Sequence, residues 1–146
     1  MHTISEFLAP DHSRCDDLFA SAEEAIARSD WDKGGDLFLQ FSKALSHHFA
    51  MEEQVLFPAF ETHTGMSMGP TQVMRSEHAQ MRDLLEQLDH AQRSRNQQGY
   101  LGLSETLLLI MQQHNLKEEQ MLYRMADQAL AGARDEIIGQ MKKLDA

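Results

Sequence analysis

The chain has 146 residues, 42% of them hydrophobic and 25% charged, the composition of one compact domain over 1–146 and not of a disordered chain. Its formal net charge of -10 repels phosphate backbones and anionic lipid heads, which argues against nucleic-acid or membrane partners. No apolar run approaches the roughly 20 residues of a membrane span, the N-terminal MHTISEFLAPDHSR lacks a basic-then-apolar signal, and Cys15 stands alone, so no internal disulfide is expected and a cytoplasmic location is.

Strict two-residue alternation is absent, and long segments carry helical spacing instead. The first helix is expected from Asp11, just after Pro10, to about Arg28, with Leu8, His12, Cys15, Phe19, Ala22 and Ile26 on its inner stripe. After a turn at Ser29-Asp30, a second helix runs from Trp31 to about Glu61, with Phe38, Phe41, Leu45, His48, Glu52, Val55 and Ala59 inward and a kink expected at Pro58. THTGMSMGP, residues 62–70, reads as a loop. The third helix spans about Thr71 to Arg95 with Met74, His78, Met81, Leu85 and Leu88 inward. After a turn at 96–99, the fourth runs from Tyr100 to about Leu130 with Leu103, Leu107, Ile110, His114, Glu118, Met121 and Met125 inward. A short fifth helix covers about Arg134 to Leu144, and no internal repeat is apparent. Short turns between long amphipathic helices imply an all-α, up-down-up-down four-helix bundle with a short extra C-terminal helix.

Each stripe carries one histidine: His12, His48, His78 and His114. Two stripes add a glutamate one turn later, Glu52 and Glu118, on the same helix face. About 17 to 22 residues separate each of these groups from the nearer inter-helix turn, so at about 1.5 Å per residue all six reach one level, near the end crossed by the 62–70 loop. Two carboxylates and four imidazoles in one buried layer are costly without a cation. Two carboxylates able to bridge, with four nitrogens to complete the shell, suit two ions better than one. The set lacks thiolate and fits Fe, Mn or Zn better than Ca or Mg. His47 reads as surface, and His63 as a solvated loop residue. Glu53, Glu77 and Glu119 read as exposed acids, one of them able to orient a ligand imidazole, and Cys15 reads as core filler.

The pattern His12 … His48-x-x-x-Glu52 … His78 … His114-x-x-x-Glu118, with HFAMEEQVLFPAF and SEHAQM around it, resembles the hemerythrin-like, HHE cation-binding domain over about residues 8–130. The resemblance implies a single hemerythrin-like metal-binding domain with two iron ions, ferrous or ferric. Glu52 and Glu118 would bridge them together with an oxo or hydroxo group, and the four histidines would be terminal ligands. Zn or Mn are the alternatives. One departure stands out: the oxygen carriers of the family have a further histidine one turn before the third-helix ligand, where this chain has Met74. Glu77, His47 and His63 are the candidates to replace it, and Glu119 competes with Glu118 as the bridge. The expected function is binding or sensing O2 or NO, or handling iron or redox state. The alternatives are a di-iron enzyme acting on peroxide, O2 or NO, an iron donor for iron–sulfur repair, and a metal-free or zinc-stapled bundle whose acidic face binds a protein. The sequence names no protein partner or reductant.

Overall fold

A computed structural model describes residues 2–144. Helix α1 (Ile4–Ala27) starts two turns before the expected Asp11. Thr3 is the reason: its hydroxyl accepts from the Glu6 amide at 3.0 Å and its own amide donates to the Glu6 carboxylate at 3.2 Å, a capping box. Asp127 then pins this end by accepting from the Ile4 amide (2.7 Å) and the Ser5 hydroxyl (2.6 Å). Pro10 therefore lies inside the helix, one lost backbone bond being outweighed by the cap and by the burial of Ile4 and Leu8.

Helix α2 (Trp31–Met51) returns antiparallel to α1 and widens into a single π-turn, Glu52–Leu56, before continuing as α3 (Phe57–Thr64). Gly65, at φ 71°, ends it, so the expected loop begins three residues late. Helices α4 (Pro70–Arg93) and α5 (Gln97–Lys117) repeat this plan, followed by a second π-turn, Glu118–Leu122, and α6 (Tyr123–Ala129). A 3-10 turn, Ala131–Ala133, leads to α7 (Arg134–Lys142), which packs outside the bundle. The described residues contain no strand, and the all-α bundle with its short C-terminal helix is as expected. No helix among them is long and apolar enough to cross a membrane.

The structure contains the repeat that the sequence conceals. Ile4 and Pro70 open the two halves, 66 positions apart, and Ala27 and Arg93, Trp31 and Gln97, Glu52 and Glu118 keep that offset. Even the turns correspond: Ser29 and Arg95 both take positive φ (60° and 55°), and Asp30 and Asn96 cap the next helix by accepting from the amides of Lys33 and Gly99.

The π-turns change which residues face inward. The amides of Phe57 and Tyr123 donate to the carbonyls of Glu52 and Glu118, five residues back, so each aromatic lies one turn above its glutamate. In an unbroken α-helix that position would be rotated by about 140°. Met121, expected inside, is accordingly 53% exposed, while Leu122 and Ala126 are buried in its place. On α5 the buried set is Tyr100, Ser104, Leu107, Met111 and His114, with Leu103 and Ile110 at its margin.

Two apolar clusters fill the bundle. One, around Phe19, Phe41, Leu45, Phe49, Leu85 and Leu107, lies toward the two short turns. The other, around Leu8, Leu56, Phe60, Met74, Leu122 and Met141, lies toward the 65–69 loop and α7. The histidine layer sits between them and not near the bundle's end, because α1 starts early and α3 and α7 extend the far side.

Candidate metal centre

Among the described residues eight polar or charged side chains are buried, and six of them are the predicted set. The other two are satisfied, Thr71 by Glu61 and Ser104 by Glu23. Ligand atoms of Glu52, His78, His114 and Glu118 lie within 4.8 Å of one another, as do those of His12, His48 and Glu118. Glu118 belongs to both groups and turns one oxygen to each: Oε1 is 3.0 Å from His12 Nε2, and Oε2 is 3.2 Å from His114 Nε2. Glu52 divides similarly, with Oε1 3.1 Å from His78 Nε2 and Oε2 accepting from the Tyr123 hydroxyl at 2.8 Å.

Every imidazole is also held from outside. Nδ1 of His12 meets Glu119 at 2.7 Å, that of His48 meets Asp11 at 2.9 Å, that of His78 meets Glu53 at 2.6 Å and that of His114 meets Glu77 at 2.8 Å. An ionised carboxylate only accepts, so each Nδ1–H donates outward and each Nε2 faces the centre. The arrangement obeys the repeat: the acid before each lone histidine holds the partner in its own half, and the acid after each central glutamate holds the lone histidine of the other half. Arg14, Arg82 and Lys117 back Asp11, Glu53 and Glu77 at 2.9, 2.7 and 2.5 Å. Burial pushes these acids toward protonation. Hydrogen bonds from His48 and Arg14 nevertheless hold Asp11 down to about 2, and those from His78 and Arg82 hold Glu53 down to about 2.

The inner groups follow the same balance. Burial disfavours charge on His48, His78 and His114, but the surrounding carboxylates raise all three above the ordinary imidazole value. Burial likewise opposes ionisation of Glu118, yet its contacts with Glu52, His114, His12 and His48 hold it well below the carboxylate range.

The two sides of the cluster differ at one residue. Tyr123 Oη lies 2.8 Å from Glu52 Oε2, 3.0 Å from Glu118 Oε1 and 3.2 Å from the Nε2 atoms of both His12 and His48. Burial and the two central carboxylates keep its phenol well above the ordinary tyrosine value. On the opposite side Glu52 Oε1, His78 Nε2, His114 Nε2 and Glu118 Oε2 are buried and make no hydrogen bond. Their separations of 3.1 and 3.2 Å are close approaches without N–H···O alignment. An unsatisfied buried polar group costs about 1–3 kcal/mol, more when charged, and one cation would satisfy all four. The donors therefore fit a metal ion.

The predicted substitutes for the histidine absent at Met74 do not reach the centre. Glu77 holds His114 from outside, His47 Nε2–H donates to the Leu144 carbonyl (3.2 Å), and exposed His63, in the last turn of α3, bonds Ala59 (2.9 Å). Glu118 occupies the centre and Glu119 the rim. Cys15 is buried and its thiol is pushed up to about 11 by burial, as for a core residue. The sequence reading missed Tyr123 and Asp11, and expected only one of Glu53, Glu77 and Glu119 to orient an imidazole, where all three do. A signal was present: each of the four outer acids is the chain neighbour of a predicted ligand.

The chain belongs to the hemerythrin HHE cation-binding domain family, whose model matches residues 3–126, both halves of the repeat included. No curated protein and no solved structure matches it. Family membership and the buried His/Glu clusters together fit a metal-binding protein.

Proposed function

We propose that the protein is a non-haem, dinuclear iron protein whose centre binds or senses O2 or NO, or reads cellular iron or redox state. The observation that carries this is the set of four buried, unbonded donor atoms from Glu52, His78, His114 and Glu118, beside a second set that shares Glu118. His78 and His114 would hold one ion, His12 and His48 the other, with Glu52 and Glu118 between them. Iron is favoured over zinc and manganese by the resemblance and allowed by the all-nitrogen-and-oxygen donor set. When bound, iron supplies reversible small-ligand binding and one-electron chemistry.

The chain's own residues do the rest. The outer carboxylates orient the imidazoles, and the two apolar clusters exclude water. Met74 stands where the oxygen carriers have a histidine, so the His78 side would hold its ion with one nitrogen fewer than in those carriers. A mainly apolar groove of about 320 Å³, lined by Pro70, Val73, Met74, Met121, Leu122 and Met125 together with Lys117, opens on that side of the bundle. Such walls suit a small apolar gas better than a charged substrate. A cytoplasmic setting agrees with a single, buried cysteine.

The test is metal content after anaerobic reconstitution with ferrous iron, followed by exposure to O2 and NO. About two irons per chain and an optical change reversed on gas removal are expected. One iron or none would overturn the dinuclear reading. Irreversible oxidation with peroxide turnover would replace gas binding by an enzymatic role, and ready loss of iron to a chelator would replace it by iron delivery.

A further inference from the structure

We propose that Tyr123 is itself a metal ligand, through its phenol oxygen, to the ion held by His12 and His48, and that the ion held by His78 and His114 is the one left open to an external molecule. This rests on the dinuclear reading above and deepens it.

Neighbouring donors around one ion, each about 2.1 Å from it at near right angles, stand about 3 Å apart. Tyr123 Oη is 2.8 to 3.2 Å from four candidate donor atoms, the spacing of a co-ligand. A hydroxyl kept only for packing needs one acceptor, and its single proton cannot serve two carboxylates at once. The ring is also fixed in place. It is fully buried, lies nearly parallel to the His12 ring (17°, centroids 5.7 Å apart), and is turned inward by the π-turn after Glu118. On coordination the phenol proton passes to solvent, and the oxygen's negative charge is met by the ion.

The repeat provides an internal control. Phe57 occupies the equivalent position in the first half, follows its own π-turn, and lies against His78 (27°, 5.6 Å) as Tyr123 lies against His12. It has no oxygen. Met74, one turn before His78, brings no nitrogen. The His12 side thus offers the nitrogens of His12 and His48, Glu118 Oε1 and the phenol oxygen, with Glu52 Oε2 2.8 Å from that phenol, and the His78 side has no phenol. The four unbonded atoms all lie on the side without the phenol.

The test uses the full chain. Wild type is loaded anaerobically with ferrous iron, its iron content is measured, and it is then oxidised and examined by visible and resonance Raman spectroscopy. Two irons per chain, an intense phenolate-to-ferric charge-transfer band and enhanced tyrosine ring modes are expected. Tyr123→Phe should keep iron but lose the band and the modes. Phe57→Tyr should add a second phenolate band and suppress azide binding. Two irons without the band in wild type would overturn the inference and leave the dinuclear reading standing. Fewer than two irons would overturn that reading and the inference with it. A band that survives Tyr123→Phe would also overturn it, since the chain's other tyrosine, Tyr100, packs in the apolar core against Phe38.

Discussion

Residues 4–64 and 70–129 trace the same path, and they place their histidines and glutamates at matching points of it. The aromatic five positions after the central glutamate is Phe57 in one half and Tyr123 in the other. The residue one turn before the lone histidine is Leu8 in one and Met74 in the other, both buried and neither a nitrogen donor. The outer supports are alike in both halves: each Nδ1 meets a carboxylate within 2.6 to 2.9 Å. A duplicated backbone thus secures the shared task of aiming four imidazoles inward, and at the centre itself the phenol oxygen of Tyr123 separates the two sides.

The largest effect should come from removing what both sides share. Glu118→Ala is expected to reduce metal content from about two ions per chain to near none. It should also abolish the rise in thermal stability on metal addition, because binding contributes directly to the folded state's free energy. Elemental analysis with paired melts checks this, and full retention of metal would remove Glu118 from the ligand set. Next, the rim can be tested across the repeat. Glu53→Gln and Glu119→Gln should each weaken metal affinity by roughly 10–100-fold, read by chelator competition. Glu53 is the more enclosed, 22% against 43% exposed, and is paired with Arg82, so its loss should cost more. Equal losses would mean that the rim acts only through charge.

The metal-free protein should show a pH window that metal widens. Asp11 and Glu53 are depressed to about 2 in the folded state, so their stabilisation, roughly 1–3 kcal/mol each, is full above pH 4.5 and drains away as pH falls toward 2. His48, His78 and His114 are raised, so their contribution is full below pH 6.5 and is lost as pH rises through their folded values. Bound metal replaces those protons, and the alkaline loss should vanish in the loaded protein. Urea melts across pH, with and without metal, would show it. An apo stability flat above pH 6.5 would contradict the histidine part.

The smallest effect lies in the turns. Arg95→Gly should relieve positive φ and gain about 0.5 kcal/mol. Ser29→Gly should gain less, because its hydroxyl also accepts from the Gln97 amide at 3.2 Å. Paired denaturant melts would show whether the two turns rank in this order.

The six central residues were legible because helical period and turn spacing are both regular up to Glu52 and Glu118. Beyond Glu118 legibility fails for a local reason: the π-turn inserts one residue into the pattern, so a stripe drawn with constant period runs through Met121 and Met125 instead of Leu122 and Ala126 and passes over Tyr123. The start of α1 was misplaced because Pro10 is a stronger signal in the sequence than the Thr3 cap. The repeat was hidden because matching positions often keep only a size or a shape, as with Leu8 and Met74, or only a backbone angle, as with Ser29 and Arg95.

The ring of outer carboxylates also bears on the order of events in the protein's life. It is built from the chain's own side chains, so hydrogen bonds as well as an ion would aim the imidazoles. Sites whose ligands are gathered by the metal must load while they fold. Here the chain's own carboxylates aim the ligands, so loading would exchange protons for an incoming ion. Supply of metal and acidity would then decide the state of the centre long after synthesis is over.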